Sequence, residues 1–360
     1  MSKEQTPSIL GFSPTNSNKD LSDRDNWGKN QFPNIFPIGL ACYQHRQDIQ
    51  PVYLTLDSDL DVRKGNVSVT DIFGLPPFSD NLYYSFESDY EYYRPYVNGV
   101  LNRIDLVTEE IKNGLHSHLR PIEIKLTALP DNRTVDLSEE DYGSEIVVRP
   151  DTIVYLALSI IQLFDSEPEK LREHLAPVCE IPNIDWMSVG DVRPLINSLK
   201  KCIDGILLEK IELQFPYLMQ PIWKTDGKSI SLEENCFDIF MWSNFAFTRL
   251  FMDAPLRTSD KISRRNRTIV WLARMLYEYT ITGKLDYQHI IDDYTYNTKN
   301  DKAFAVSGAV TNPYMKCDEL TTPRVTKDAL KKIILNGGEK YLSPERRLDA
   351  AVQALNISRG

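Results

Sequence analysis

Apolar and polar positions alternate most regularly between residues 100 and 150. Arg103-Ile104-Asp105-Leu106-Val107 is one short run, Pro121 to Thr127 (PIEIKLT) a second, and Glu145 to Val148 (EIVV) a third. Side chains on a strand point to opposite faces in turn, so Ile122, Ile124 and Leu126 share one face, while Glu123, Lys125 and Thr127 share the other. Lys112-Asn113-Gly114-Leu115 supplies a turn between the first two runs, which predicts an antiparallel hairpin.

Outside this region the pattern changes twice. The first thirty residues are polar and turn-rich and read as an arm; Phe36 to Tyr43 (FPIGLACY) is apolar, and Val52 to Leu56 alternates like a strand. Asp151 is placed to cap an apolar helix over Thr152 to Phe164, and beyond about residue 166 apolar residues recur at helical spacing over Asp191–Gln214, Leu232–Met252 and Ser259–Thr282. Thr326 to Asn356 reads as two short helices around Asn336-Gly337-Gly338. The expectation is a mixed α/β (α+β) protein with a polar arm over residues 1–35, a mixed sheet-and-helix core over 36–165, and a mainly helical region over 166–360.

With 360 residues, 42% of them apolar, the chain can bury a large core. No window approaches the roughly 18 apolar residues of a membrane span, and the start MSKEQTPSIL lacks a leader pattern, so a soluble, cytoplasmic protein is expected. The five cysteines are scattered without a C-x-x-C pair, which argues for reduced thiols and against a zinc site. A net charge of −10 argues against coating of nucleic acid by bulk attraction and is compatible with a local basic cleft.

The polar face of the second run carries a carboxylate and an amine about 7 Å apart along the strand. Asp105 is an acid isolated in an apolar run, and the hairpin sets it beside Glu123 and Lys125. Two carboxylates with a backbone carbonyl, that of Ile124, and water make the oxygen-rich shell that Mg²⁺ prefers, and Lys125 can orient a water or stabilise charge growing on phosphorus. The same spacing also fits an ordinary solvated strand face; the isolated acid and the hairpin favour the metal site.

The runs Asn16 to Asp20 (NSNKD), Trp27 to Phe32 (WGKNQF), Phe86 to Asp89 (FESD), RIDLV, Glu123 to Asp131 (EIKLTALPD) and Glu145 to Leu156 (EIVVRPDTIVYL) resemble the type II restriction endonucleases of the HindVP/HgiDI group, over about residues 10 to 165. That resemblance implies a PD-(D/E)XK nuclease fold, with Ile104 where the name has its proline, and Mg²⁺-dependent cutting of double-stranded DNA at GRCGYC to leave 5′-phosphate ends. It also implies a homodimer matched to a symmetric site and a cognate DNA methyltransferase as functional partner. Glu87 is then the candidate for a further metal-site carboxylate, with Asp89 and Glu91 as alternatives and an exposed acidic loop as the plain reading. A repair nuclease with the same core and a non-catalytic DNA-binding protein are the competing functions.

DNA contacts need cations for phosphates and a few groups for base edges. Lys261, Arg264, Arg265 and Arg267 form the densest basic cluster, at the start of a helix capped by Ser259 or Ser263. A phosphate clamp and a solvated helix face are both open readings. Lys29 and Asn30 in the arm and Arg133 after the hairpin are further candidates, while Arg324, Lys327, Lys331 and Lys332 read as helix surface.

Overall fold

The computed structural model describes residues 31–129, 145–225, 232–256, 261–307 and 318–336. Helix α1 (Gln31–Arg46) leads into strands β1 (Val52–Leu56) and β2 (Val62–Gly65). Ser68 caps α2 (Val69–Phe73) through a capping box with Asp71, and Gly74 ends it at φ 81°, in the left-handed region that glycine enters without strain. Strands β3 (Leu82–Ser88), β4 (Ile104–Lys112), β5 (Leu115–Ile124) and β6 (Thr127–Leu129) follow.

The β4–β5 hairpin forms as the sequence predicts. Asn113 and Gly114 take φ values of 53° and 77°, the successive positive pair whose twist matches that of the flanking strands. Leu106 pairs with Ile122 and Val107 with Pro121, antiparallel. Strand β7 (Glu145–Val148) leaves this sheet and, among the described residues, pairs with the later β10 (Phe304–Ser307) alone. Helix α3 (Pro150–Leu163) starts two residues earlier than the capping role given to Asp151 implies. Arg149 is the N-cap without a side-chain bond, and Pro150 occupies the first turn, where its missing N–H is no loss. The Asp151 carboxylate instead accepts from Asn102 at 2.6 Å.

The second half of the chain supplies helices α4 (Pro168–Cys179), α5 (Val189–Val192) and α6 (Ile196–Glu209), but also two long strands, β8 (Pro216–Thr225) and β9 (Leu232–Ser243). The helix expected over Leu232–Met252 is therefore strand as far as Ser243 and becomes helix α7 only over Asn244–Met252. Cys236, Phe237 and Ile239 to Trp242 are all 1% exposed or less. A strand covered on both faces reads as a continuous apolar run, which periodicity does not separate from a buried helix.

The sheet runs β2-β1-β9-β8-β5-β4-β3, with β1–β9 and β5–β8 parallel and the other neighbours antiparallel, so strands from 166–360 stand at its centre. One face packs Ile122, Ile124, Met219 and Ile239 against Ile38, Leu40, Ile72 and Leu330. The other packs Leu218, Phe240 and Trp242 with α3 and with α8 (Arg264–Thr282), through residues such as Leu156, Ile160 and Trp271. This helix-covered mixed sheet is the PD-(D/E)XK, restriction-endonuclease-like arrangement that the resemblance implies.

Arg324, expected on the helix surface, is a structural residue. Its Nε and Nη2 donate to the two carboxylate oxygens of fully buried Asp238 on β9, at 2.7 and 2.8 Å, and Nη2 also donates to the Gln50 carbonyl. The pair ties the stretch leading into the helix Lys327–Asn336 to the sheet. The second helix expected near the end falls on residues outside those described.

Candidate active site

Strand register assembles the site. Because Leu106 faces Ile122 in an antiparallel pair, the preceding Asp105 stands opposite Glu123, one strand spacing away. Strand β5 is in turn parallel to β8, with Glu123 beside Leu218 and Ile124 beside Met219, and β6 resumes in the same register with Thr127 beside Ile222. Lys125 and Leu126 lie in the break. There Lys125 N–H still donates to the Met219 carbonyl at 2.9 Å, but the next ladder donor on β8 would be residue 221, a proline with no N–H. The break therefore has a cause in β8, and it frees the Lys125 segment from strict pairing.

Asp105 and Glu123 converge on one cationic group. The Lys125 ammonium donates to Asp105 Oδ2 at 3.1 Å and to Glu123 Oε2 at 2.9 Å. Asp105 Oδ2 also accepts the Ile124 N–H at 2.8 Å, and Glu123 Oε2 accepts the Thr152 hydroxyl at 3.2 Å. The side chains of Asp105 and Lys125 keep partial access to solvent, 24% and 17%, whereas that of Glu123 keeps 6%. Glu123 is thus the buried member of the trio, while Asp105 and Lys125 stay within reach of solvent.

Burial pushes the Glu123 carboxyl up to about 7; the Lys125 charge opposes this and the Asp105 charge adds to it. Burial works against the Lys125 ammonium as well, but the two carboxylates together outweigh it and hold the lysine protonated. A site in which one acid is poised near neutrality and one amine is fixed as a cation is suited to exchanging a proton for a metal ion.

The donor set fits a hard divalent cation. Two carboxylates from adjacent strands already share one positive group, and both present oxygen. Among the described residues no three His, Cys, Asp or Glu side chains gather as a metal group. A hard divalent ion held by the two carboxylates would complete its shell with water, substrate phosphate or a carbonyl such as that of Ile124.

Glu87 lies between Phe86, paired with Leu106, and Ser88, paired with Ile104, so it falls opposite Asp105. Register therefore lines up Glu87, Asp105 and Glu123 across three strands. Glu87 is exposed, however, and its backbone is left-handed at φ 49°, one residue before the end of β3. Of its alternatives, Asp89 is paired with Arg94 at 3.5 Å, and Glu91 opens the short helix Glu91–Tyr96.

The basic cluster divides. Ser263 is the N-cap of α8, its hydroxyl accepting the Asn266 N–H, so Lys261 precedes the helix and is exposed. Arg264 is half-buried and pairs with Asp301 at 3.3 Å, and Arg265 is also half-buried. Arg267 is fully buried, and this corrects its assignment to DNA. Its guanidinium stacks 4.1 Å over Trp271 and donates to the carbonyls of Lys299, Lys302 and Ala303. One helical turn separates Arg267 from Trp271, so the pair faces inward together. Lys29, Asn30 and Arg133 lie outside the described residues.

A helix-flanked mixed sheet with an acid from one strand and Glu-x-Lys from the next places the chain in the class of restriction-endonuclease-like proteins. The profile of the HindVP restriction endonuclease family matches residues 27–356, and the chain belongs to that family. It is 44% identical to the type II restriction enzyme HgiDI of Herpetosiphon aurantiacus over 347 residues, which cover 96% of this chain and 95% of that protein. It is 38% identical to the probable type II restriction enzyme HindVP of Haemophilus influenzae over 352 residues, 96% of this chain and 93% of the relative. No solved structure gives a significant match. Among the described residues no helix is long and apolar enough to cross a membrane.

Thr152 is the site contact that reading the sequence did not anticipate. It lies 29 residues from Glu123, and in the sequence it marks only the start of a helix. The one available signal is a hydroxyl residue in the first turn of an otherwise apolar helix.

Proposed function

We propose that this chain is a Mg²⁺-dependent type II restriction endonuclease, with Asp105, Glu123 and Lys125 as its catalytic centre. It hydrolyses phosphodiester bonds of double-stranded DNA at the palindrome GRCGYC and leaves 5′-phosphate ends. The observation that carries the reading is the convergence of Asp105 and Glu123 on the Lys125 ammonium. The target sequence rests on the resemblance alone. Asp105, Glu123 and the Ile124 carbonyl would hold the ion, with Glu87 at the rim of the site; when bound, it supplies Lewis acidity toward a phosphate oxygen and makes a water easier to deprotonate. Lys125 orients the attacking water and stabilises charge developing on the phosphoryl oxygens. A symmetric target calls for a homodimer with one centre per strand, and a cognate methyltransferase would protect the host DNA in the cytoplasm.

Digesting a plasmid that carries GRCGYC in MgCl₂ and sequencing the fragment ends tests this reading. Discrete fragments ending within that site, with ligatable 5′-phosphates, are expected. Discrete cutting elsewhere would replace the target, and an unresolved smear would instead favour a nuclease of repair type.

The elevated Glu123 carboxyl gives a pH dependence. Glu123 must be ionised to hold a cation, so Mn²⁺ affinity should fall as pH drops below about 7, by roughly tenfold per unit once Glu123 is mostly protonated. Calorimetric titration between pH 5.5 and 8 reads this; a flat affinity would remove Glu123 from the ion's shell.

Lys261, Arg264 and Arg265 are proposed as phosphate contacts. Replacing Arg264 and Arg265 with Ala should weaken DNA binding and reduce the slope of log affinity against log salt by about one to two. An unaltered slope would leave these arginines as surface of the helical layer, with Arg264 serving only Asp301.

A further inference from the structure

The Glu123 carboxylate is held from two directions. Lys125, which grips Oε2 at 2.9 Å, belongs to the same stretch of chain and ends in a flexible four-carbon stem. Thr152, which donates to the same oxygen at 3.2 Å, comes from a different element, the first turn of α3. It is 1% exposed, and its branched side chain has few rotamers available. Its backbone is anchored as well, since the Thr152 carbonyl accepts the hydroxyl of buried Tyr217. Tyr217 immediately precedes Leu218, the residue beside Glu123 in the parallel ladder. Glu123, Thr152, Tyr217 and the β8 backbone thus close a ring of contacts around one carboxylate.

We infer that Thr152 is a positioning residue for the metal site: its hydroxyl fixes Oε2 of Glu123, and with it the plane in which the carboxylate presents its other oxygen to a divalent ion. The inference rests on the reading of Asp105, Glu123 and Lys125 as an ion-binding centre. Lys125 alone leaves that plane free to turn, because an ammonium donates without directional preference between its three hydrogens. A hydroxyl on a rigid, buried helix start removes this freedom. Groups that orient a ligand in this way typically contribute 10- to 100-fold to metal affinity or activity.

The test uses the full-length protein in three variants, Thr152→Val, Thr152→Ser and Glu123→Gln. Mn²⁺ binding is measured by calorimetry without DNA, and plasmid cleavage is followed in single turnover across a range of MgCl₂. Thr152→Val keeps the branched shape and loses the hydroxyl. It should weaken Mn²⁺ binding and raise the half-saturating Mg²⁺ concentration by about 10- to 100-fold, with the saturating rate much less affected. Thr152→Ser should restore both to within about threefold, whereas a merely structural threonine would predict no such rescue and no shift in metal dependence. If the valine variant fails to fold, Thr152→Ala gives the same readout. Mn²⁺ affinity unaltered in Thr152→Val but lost in Glu123→Gln would overturn the role of Thr152 and leave the acid pair standing. Affinity unaltered in both would overturn the ion-binding centre itself.

Discussion

Lys125→Ala is expected to slow plasmid cleavage by about 1,000-fold at saturating MgCl₂ while leaving DNA binding within a few fold of the parent. Among the described residues the ammonium is the one group that donates to both Asp105 and Glu123, and in the proposed mechanism this fixed cation meets charge that grows only as the phosphorus–oxygen bond breaks. An interaction made in the transition state and absent from the ground state lowers the rate without weakening substrate binding when removed. Single-turnover gels with a filter-binding control separate the two. Equal rates would assign Lys125 to holding the two carboxylates together and nothing more. Lys125→Arg should not rescue, because a planar fork does not occupy the position of a compact ammonium.

The second large effect is on stability. Arg324→Ala should lower the free energy of unfolding by about 3 kcal/mol, read as a shift in the urea midpoint. Asp238 is fully buried, so truncating its partner leaves a carboxylate without its bidentate counter-ion. The Gln44 amide and the Ile239 N–H still donate to Oδ1, and the arginine itself is 31% exposed; both facts place the cost at the low end of the range for a broken buried pair. Adding Asp238→Asn should recover part of the loss, since the residual penalty comes from the charge. A shift below about 0.5 kcal/mol would mean that water reaches Asp238 when the guanidinium leaves.

These two residues also mark what could be read from sequence. The hairpin was legible because local rules specify it: Asn-Gly at the turn, alternation on both arms, and an acid where an apolar residue would fit. Those rules bring Asp105 beside Glu123 without any knowledge of the rest of the sheet. Strands β8 and β9 were hidden because both their faces are covered, which erases the alternation that marks a half-buried strand. Pro216 and Pro221 in β8 hide it further, although the second is what opens the ladder at Lys125.

Arg324 and Arg267 show a different limit. Both stand among other basic residues, and the sequence carries no mark of Asp238, 86 positions away, or of the carbonyls of residues 299–303. A guanidinium that satisfies a buried acid or loop carbonyls and one that waits for phosphate have the same local sequence context. Thr152 belongs with them, its partner being fixed by how α3 lies on the sheet. Contacts set by the packing of one element on another were the illegible part; contacts set within one supersecondary unit were not.

In the proposed function Asp105 and Glu123 jointly form an ion-dependent cleavage centre. Single-turnover cleavage of plasmid by Asp105→Asn and by Glu123→Gln, titrated with MgCl₂ from micromolar to tens of millimolar, tests it most directly. Each substitution preserves shape and removes one charge. Both variants are expected to stay folded and to cut no more than background at every Mg²⁺ concentration. Cutting at the parent rate by either variant would contradict it.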